Sequence, residues 1–263
     1  MTAGAKFAEL SNKRTPQIVT LDIETLAHVV RTFGLFDQNI GLNQIIAVGR
    51  IHSFAAKWYG KAKIHYFSEA QPGGHEAMVL AAWDILDRAD IVVGHNSRAF
   101  DLKHLNREFI LAGLTPPSPY KQVDTLTVAR SQLKFASNKL DHIAQQLGIG
   151  GKVSHSGFQL WLNVEAGDPK ALRLFERYCK QDVALTEKLY DRLRPWVKNH
   201  PNMGLIMGVP GSCTNCGGAG PHEYHGLHFA TAQAYDRYKC CTCGAWLRGT
   251  AKRSAPIGIR QAA

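Results

Sequence analysis

Acidic residues set inside apolar segments at three separate places constrain this chain more than any other feature. Asp22 and Glu24 lie in IVTLDIET, Asp101 follows the apolar IVVGHN, and Asp182 falls within RYCKQDVALTEKLY. Burying one carboxylate without a partner costs several kcal/mol, so four carboxylates that converge need cations between them. The simplest reading is a divalent-metal site that hydrolyses phosphodiesters.

The patterns around these residues predict an α/β chain. Residues 17–23, 43–51 and 62–67 read as strands, with an irregular connection over 31–42, and ADIVVGHN and the surroundings of Gln122–Asp124 read as two more. Met78, Ala81, Ala82, Ile85 and Leu86 recur at helical spacing, as do Leu102, Leu105 and Phe109, with Gly113 closing the second helix. Two short helices follow, one from Asp124 and one through KLDHIAQQLGI, and then a long helix from about Asp168 to Leu193. This order indicates a mixed sheet flanked by helices. Residues 195–212, with three prolines, read as a linker or domain-closing loop. The expected organisation is an arm over 1–16, a main domain over 17–200, a cysteine-rich appendage over 201–250 and a basic tail over 251–263.

Asp22 and Glu24 are two apart on a strand and therefore share a face. Taken alone, that pair also fits a solvated edge, but Ile18, Val19, Leu21 and Ile23 around it indicate a central strand. Asp182 shares the stripe of Phe175, Tyr178, Leu185 and Leu189, where a salt-bridged core aspartate is the alternative. The three segments together favour a site.

LDIET, GHNSRAFD and YCKQD resemble the three exonuclease motifs of the DEDD superfamily, which has a ribonuclease H-like fold. The second and third are especially similar to the proofreading exonuclease domain of family B DNA polymerases, where an Asn stands five residues before the Asp, as Asn96 does before Asp101. The Tyr178-to-Asp182 spacing matches the tyrosine-type branch; position 177, where the other branch has His, is Arg. The resemblance covers roughly residues 17–194. It implies two Mg²⁺ or Mn²⁺ ions held by Asp22, Glu24, Asp101 and Asp182, with Asp22 bridging both and Glu24 and Asp182 completing the water-activating site. It also implies that Tyr178 orients the nucleophilic water, that Asn96 and Phe100 contact the terminal nucleotides, and that hydrolysis runs 3′→5′. Two ions ~4 Å apart suit such chemistry, since they stabilise both the attacking and the leaving oxygen.

Five of the six cysteines fall within residues 213–243, as Cys213-Thr-Asn-Cys216-Gly and Cys240-Cys241-Thr-Cys243-Gly. Paired Cys-X-X-Cys knuckles suit a tetrahedral Zn²⁺, giving a small zinc ribbon on Cys213, Cys216, Cys240 and Cys243, with Cys241 an alternative to Cys240. Disulfides are the other use of such cysteines. His222, His225 and His228 read as surface residues, Cys179 as a small core residue, and Gly73–Gly74 as a turn. Trp58, Trp83, Trp161 and Trp196 read as core, with Phe158 and Trp161 in a GFQLWL loop as candidates for lining a strand groove.

The net charge of +10 is spread over both parts, and residues 201–263 carry six Lys or Arg against Glu223 and Asp236. Such a balance favours a polyanion. The expected partner is nucleic acid at single-stranded 3′ ends, DNA ahead of RNA, with a replication or repair protein as a second candidate and no membrane. The start of the chain lacks the apolar stretch of a signal peptide, so the expected location is the cytoplasm. The functional expectation is a stand-alone 3′→5′ exonuclease serving replication, repair or degradation. A structure-specific endonuclease on the same fold and a non-catalytic zinc-ribbon adaptor are the alternatives.

Overall fold

The computed structural model describes residues 15–231 and 233–253. The chain divides into a unit Gln17–Tyr190 and a second unit that holds the described residues from Asp191 onward. The arm expected at 1–16 lies outside the described residues up to residue 14, as does the tail from 254 onward.

The first unit is built on a five-stranded mixed sheet. Its strands are β1 (Ile18–Thr25), β4 (Ile51–Trp58), β5 (Ile64–Ser68), β6 (Ile91–Gly94) and β7 (Lys121–Asp124), in the order β5-β4-β1-β6-β7. β1 runs antiparallel to β4 and parallel to β6. One face carries Val19, Leu21 and Ile23 from β1 and packs on helices α1 (Gly74–Asp87) and α2 (Asp101–Leu111) through Met78, Ile85, Leu102 and Phe109. The opposite face, which carries Asp22 and Glu24, is covered by the long helix α6 (Pro169–Leu193), whose Cys179 and Val183 pack on Ala55. α3 (Thr125–Gln132), α4 (Leu140–Gln146) and α5 (Phe158–Glu165) connect the sheet to α6.

Three expectations need correction. The strand expected at 43–51 is displaced: a 3₁₀ turn occupies Leu42–Gln44, and β3 (Ile45–Ala47) pairs with β2 (Val29–Val30) in a separate two-stranded sheet. The apolar run there drew the strand reading, yet Ile46 and Val48 are exposed, and the strand that joins the main sheet starts at Ile51. GFQLWL is not a loop but the start of α5, with Leu160 and Val164 packed on Ala171 and Phe175 of α6. Residues 195–212 contain structure of their own, a 3₁₀ turn at Arg194–Trp196 and α7 (Met203–Met207), and Trp196 is exposed rather than core.

The second unit carries a three-stranded antiparallel sheet of β8 (Glu223–Ala230), β9 (Gln233–Lys239) and β10 (Trp246–Lys252), in the order β10-β9-β8. β10 therefore takes the first two residues assigned to the tail. Among the described residues no helix is long and apolar enough to cross a membrane.

Candidate active site

β6 is short, and its parallel pairing with β1 covers Ile18 to Thr20 only. Past Gly94 the chain turns away, so Asp22 and Glu24 project where one neighbouring strand has ended. On the other side, β4 sets Ala55 opposite Asp22 and Ser53 opposite Glu24, leaving room for the carboxylates. The result is an open groove of about 620 Å³ whose lining includes Asp22, Asn96, Lys152 and Asp182.

Asp101 opens α2, where an acid also suits the helix N-terminus, and its Oδ1 accepts the Ile23 N–H at 3.0 Å. That bond ties the second motif to the first. Glu24, Asp101 and Asp182 are all buried. Asp182 on α6 pairs with Lys152, whose ammonium also donates to the Tyr178 hydroxyl at 3.1 Å. Tyr178 stands one turn before Asp182, and its ring is held edge-on by His155 at 5.0 Å and Trp161 at 6.2 Å. Trp161 thus supports the tyrosine, while Phe158 is exposed.

Burial is the first cause that lifts these acids, and their charges act on one another. Burial pushes Asp22 well above the usual carboxylate range, and the charges of Asp101, Glu24 and Asp182 push it further. Glu24 is pushed up to about 8 by burial and then by Asp182, and Asp101 to about 7 by burial. Burial raises Asp182 despite the opposing charge of Lys152. Tyr178 is pushed up to about 12 by burial and by Asp182.

A fifth buried acid provides the contrast. Asp124 accepts the N–H groups of Asn96, Arg98, Leu126 and Thr127, and so is satisfied as the cap of α3 and the brace of the 95–98 turn. Asp182 Oδ1 is buried with no hydrogen-bond partner. Hard oxygen donors, like charges driven together and a buried oxygen without a partner fit a divalent cation such as Mg²⁺ or Mn²⁺.

The Asp124 brace holds Asn96 at φ +70°, a left-handed conformation that Asn tolerates better than most residues. Asn96 lines the groove; Phe100, partly exposed with its ring 4.5 Å from His104, lies outside that lining. Lys152 is the site residue that the sequence did not reveal. It sits in a connection held by Lys152 N–H to Asp141 Oδ1 (2.8 Å) and Gln181 Nε2 to the Gly151 carbonyl (3.1 Å), and no periodicity marks it.

In the second unit Cys213, Cys216, Cys240 and Cys243 converge, while Cys241 is exposed and stands apart. The sulfurs of Cys213 and Cys243 are 3.7 Å apart, as are those of Cys216 and Cys240. Four thiolates at ~2.3 Å from a zinc ion in a tetrahedron have edges of about 3.8 Å, so the cluster fits Zn²⁺. The N–H groups of Asn215 and Gly218 approach the sulfurs of Cys213 and Cys216, each at 3.4 Å. Gly217 and Gly244, each following a knuckle, have φ of +74° and +77°, which lets the chain fold back there.

Among solved structures, the chain is similar to the family B DNA polymerase from the hyperthermophilic archaeon Pyrobaculum calidifontis, with a TM-score of 0.51 and 16% identity over 74% of this chain. It spans 27% of that polymerase chain, and the likeness is one of fold. No curated protein matches the chain. The family model of the RNase_H superfamily matches residues 21–194, from the strand that carries Asp22 to just beyond α6. With most of its length and Asp22, Glu24, Asp101 and Asp182 inside that match, the chain belongs to the RNase_H superfamily.

Proposed function

We propose that this chain is a 3′→5′ exonuclease of the tyrosine-type DEDD branch, acting on single-stranded 3′ ends, with DNA ahead of RNA, in replication, repair or degradation. The observations that carry the reading are Asp22 of β1 and Asp182 of α6 on one open groove, the charges of Asp101 and Glu24 acting on Asp22, and Tyr178 one turn before Asp182. Asp22, Glu24, Asp101 and Asp182 would hold two Mg²⁺ or Mn²⁺ ions, which would supply a more acidic bound water and positive charge near the departing oxygen. Lys152 donates to the Tyr178 oxygen, and the hydroxyl proton, which goes to Asp182 here, would orient the attacking water once Asp182 holds an ion. Asn96, braced by Asp124, and Phe100 contact the terminal nucleotides. The polarity rests on the likeness of the motifs to the polymerase exonuclease domain. A single Zn²⁺ on Cys213, Cys216, Cys240 and Cys243 is structural, and the reducing cytoplasm is where four free thiols stay available to it.

Digestion of 5′- and 3′-labelled DNA and RNA oligonucleotides with Mg²⁺ or Mn²⁺, beside a circular single strand, tests the reading. A ladder shortening from the 3′ end with the circle intact is expected. Cutting of the circle would establish an endonuclease, and absence of both hydrolysis and divalent-ion binding would leave an adaptor.

Tyr178→Phe keeps the ring and its packing and removes the hydroxyl. Single-turnover hydrolysis should slow by about tenfold to a hundredfold with Mg²⁺ affinity retained. Lys152→Met should also slow it, by roughly tenfold, with partial recovery in Lys152→Arg, since a cation at this position holds the Tyr178 hydroxyl. A Lys152→Met rate equal to wild type would reduce the lysine to a charge-balancing role.

A further inference from the structure

The sheet of the second unit has two unlike faces. Register sets Trp246 opposite Lys239, Arg248 opposite Arg237 and Lys252 opposite Tyr235. Opposed residues share a face and alternate residues of β9 point the same way, so these six side chains stand together. The other face holds Leu247, packed on the cysteine cluster, and Asp236, paired with Arg253.

The first face combines an exposed indole and a half-buried tyrosine ring with cations. Trp246 is 57% exposed, and Arg237, Lys239 and Arg248 are exposed around it. The Arg237 guanidinium lies 5.3 Å and the Lys239 ammonium 5.8 Å from the centre of the Trp246 ring, and Arg248 lies 4.4 Å from that of Tyr235. Arg237 is fixed by two N–H donations to the His225 carbonyl, at 3.0 and 2.8 Å. Among the described residues of this face, the four cations meet one acid, Glu223, set opposite Lys239.

We propose that this face binds single-stranded nucleic acid, with Trp246 as the stacking platform for a base and Arg237, Lys239 and Arg248, the last seated over Tyr235, on the phosphates. Same-face side chains along a strand are about 7 Å apart, on the order of one extended nucleotide, so the indole and the cations can engage a base and successive phosphates. An acidic peptide would use the cations and leave the exposed indole idle. Base-on-aromatic stacking over a cationic surface is the chemistry that recognises a single strand without reading its sequence. The site stands apart from the hydrolytic reading, because it needs neither the carboxylates nor their metals.

Fluorescence anisotropy of the zinc-loaded full chain with a labelled thymidine 30-mer, without added Mg²⁺ or Mn²⁺, tests it. Trp246→Ala should weaken binding by about tenfold and Trp246→Phe should restore most of it, since the phenyl ring still stacks. Replacing Arg237 and Arg248 together by Ala should lower the slope of log affinity against log salt by about 1.4, at ~0.7 per lost phosphate contact. Zinc content equal to wild type confirms that each variant is folded. Unchanged affinity and slope in these variants would overturn the proposal, as would polyglutamate displacing the strand as effectively as unlabelled oligonucleotide does. Hydrolysis of a trinucleotide by Trp246→Ala with Mg²⁺ reports on the groove separately.

Discussion

Replacing Asp22 or Asp182 by Ala should reduce nuclease activity to background while the chain stays folded. The two side chains do different work in the empty and the loaded site. With divalent ions they are ligands, and neither loss can be made good by the remaining acids. Without ions Asp22 is one of several like charges held close together, so its truncation relieves repulsion, whereas truncation of Asp182 leaves Lys152 without its partner. Metal-free Asp22→Ala should therefore melt no lower than metal-free wild type at pH 8. The same reasoning fixes a pH dependence. Glu24 titrates at about 8 in the folded chain against an ordinary value of 4.5, so between those pH values the folded state holds a proton that the unfolded state has lost. Stability of the metal-free protein should then fall as pH rises from about 5 through 8, and Asp101, at about 7, adds to the same slope. Added Mg²⁺ should raise the melting temperature more at pH 8 than at pH 6. Calorimetry with and without Mg²⁺ checks the slope, and near-normal turnover by either alanine variant would remove the assignment.

Removing zinc should have the second large effect, confined to the second unit. The stretch from Cys213 to Lys252 has few residues with which to build an apolar core, and its small cluster consists of the cysteines with Ala245 and Leu247. Zinc binding to such a module supplies ~10–16 kcal/mol, which is folding free energy. Elemental analysis after purification in metal-free buffer should find about one zinc per chain, with Mg²⁺ washed out. Cys243→Ser or a strong chelator should abolish the ordered amide signals of β8–β10. Gly217→Ala should act in the same direction, because its Cβ would fall 2.5 Å from Met207 Sδ at a φ of +74°. Hydrolysis of short oligonucleotides should survive, since the four acids all precede Cys213. Deleting residues from Cys213 onward should weaken binding to long strands and flatten its salt dependence. Zinc-free protein with an intact β8–β10 sheet would refute the structural role.

What was legible in the sequence follows from periodicity. β1, α2 and α6 alternate apolar and polar residues at the spacing of their own geometry, so the acids could be assigned to faces before the chain was folded. β4 was not legible, because it faces two environments: Phe54 enters the core, whereas Ser53 and Ala55 face the carboxylate side and are small for that reason. The nearby IIAV run looked more like a strand and yet lies exposed. Lys152 escaped because tertiary hydrogen bonds to Asp141 and Gln181 position it, and these leave no spacing signal. The choice of Cys240 over Cys241 likewise needed the fold, which turns one sulfur inward and the next outward.

The chain order of the acids has a further consequence. Two of them lie on β1 and one begins α2, but Asp182 arrives only with α6, 160 residues after Asp22. Synthesis proceeds from the N-terminus, so Asp22, Glu24 and Asp101 emerge from the ribosome well before their partner. On the proposed mechanism, a nascent chain that has not yet docked α6 has an incomplete donor set and is inert toward the messenger and ribosomal RNA around it. Completion of the fold and completion of the donor set are then one step.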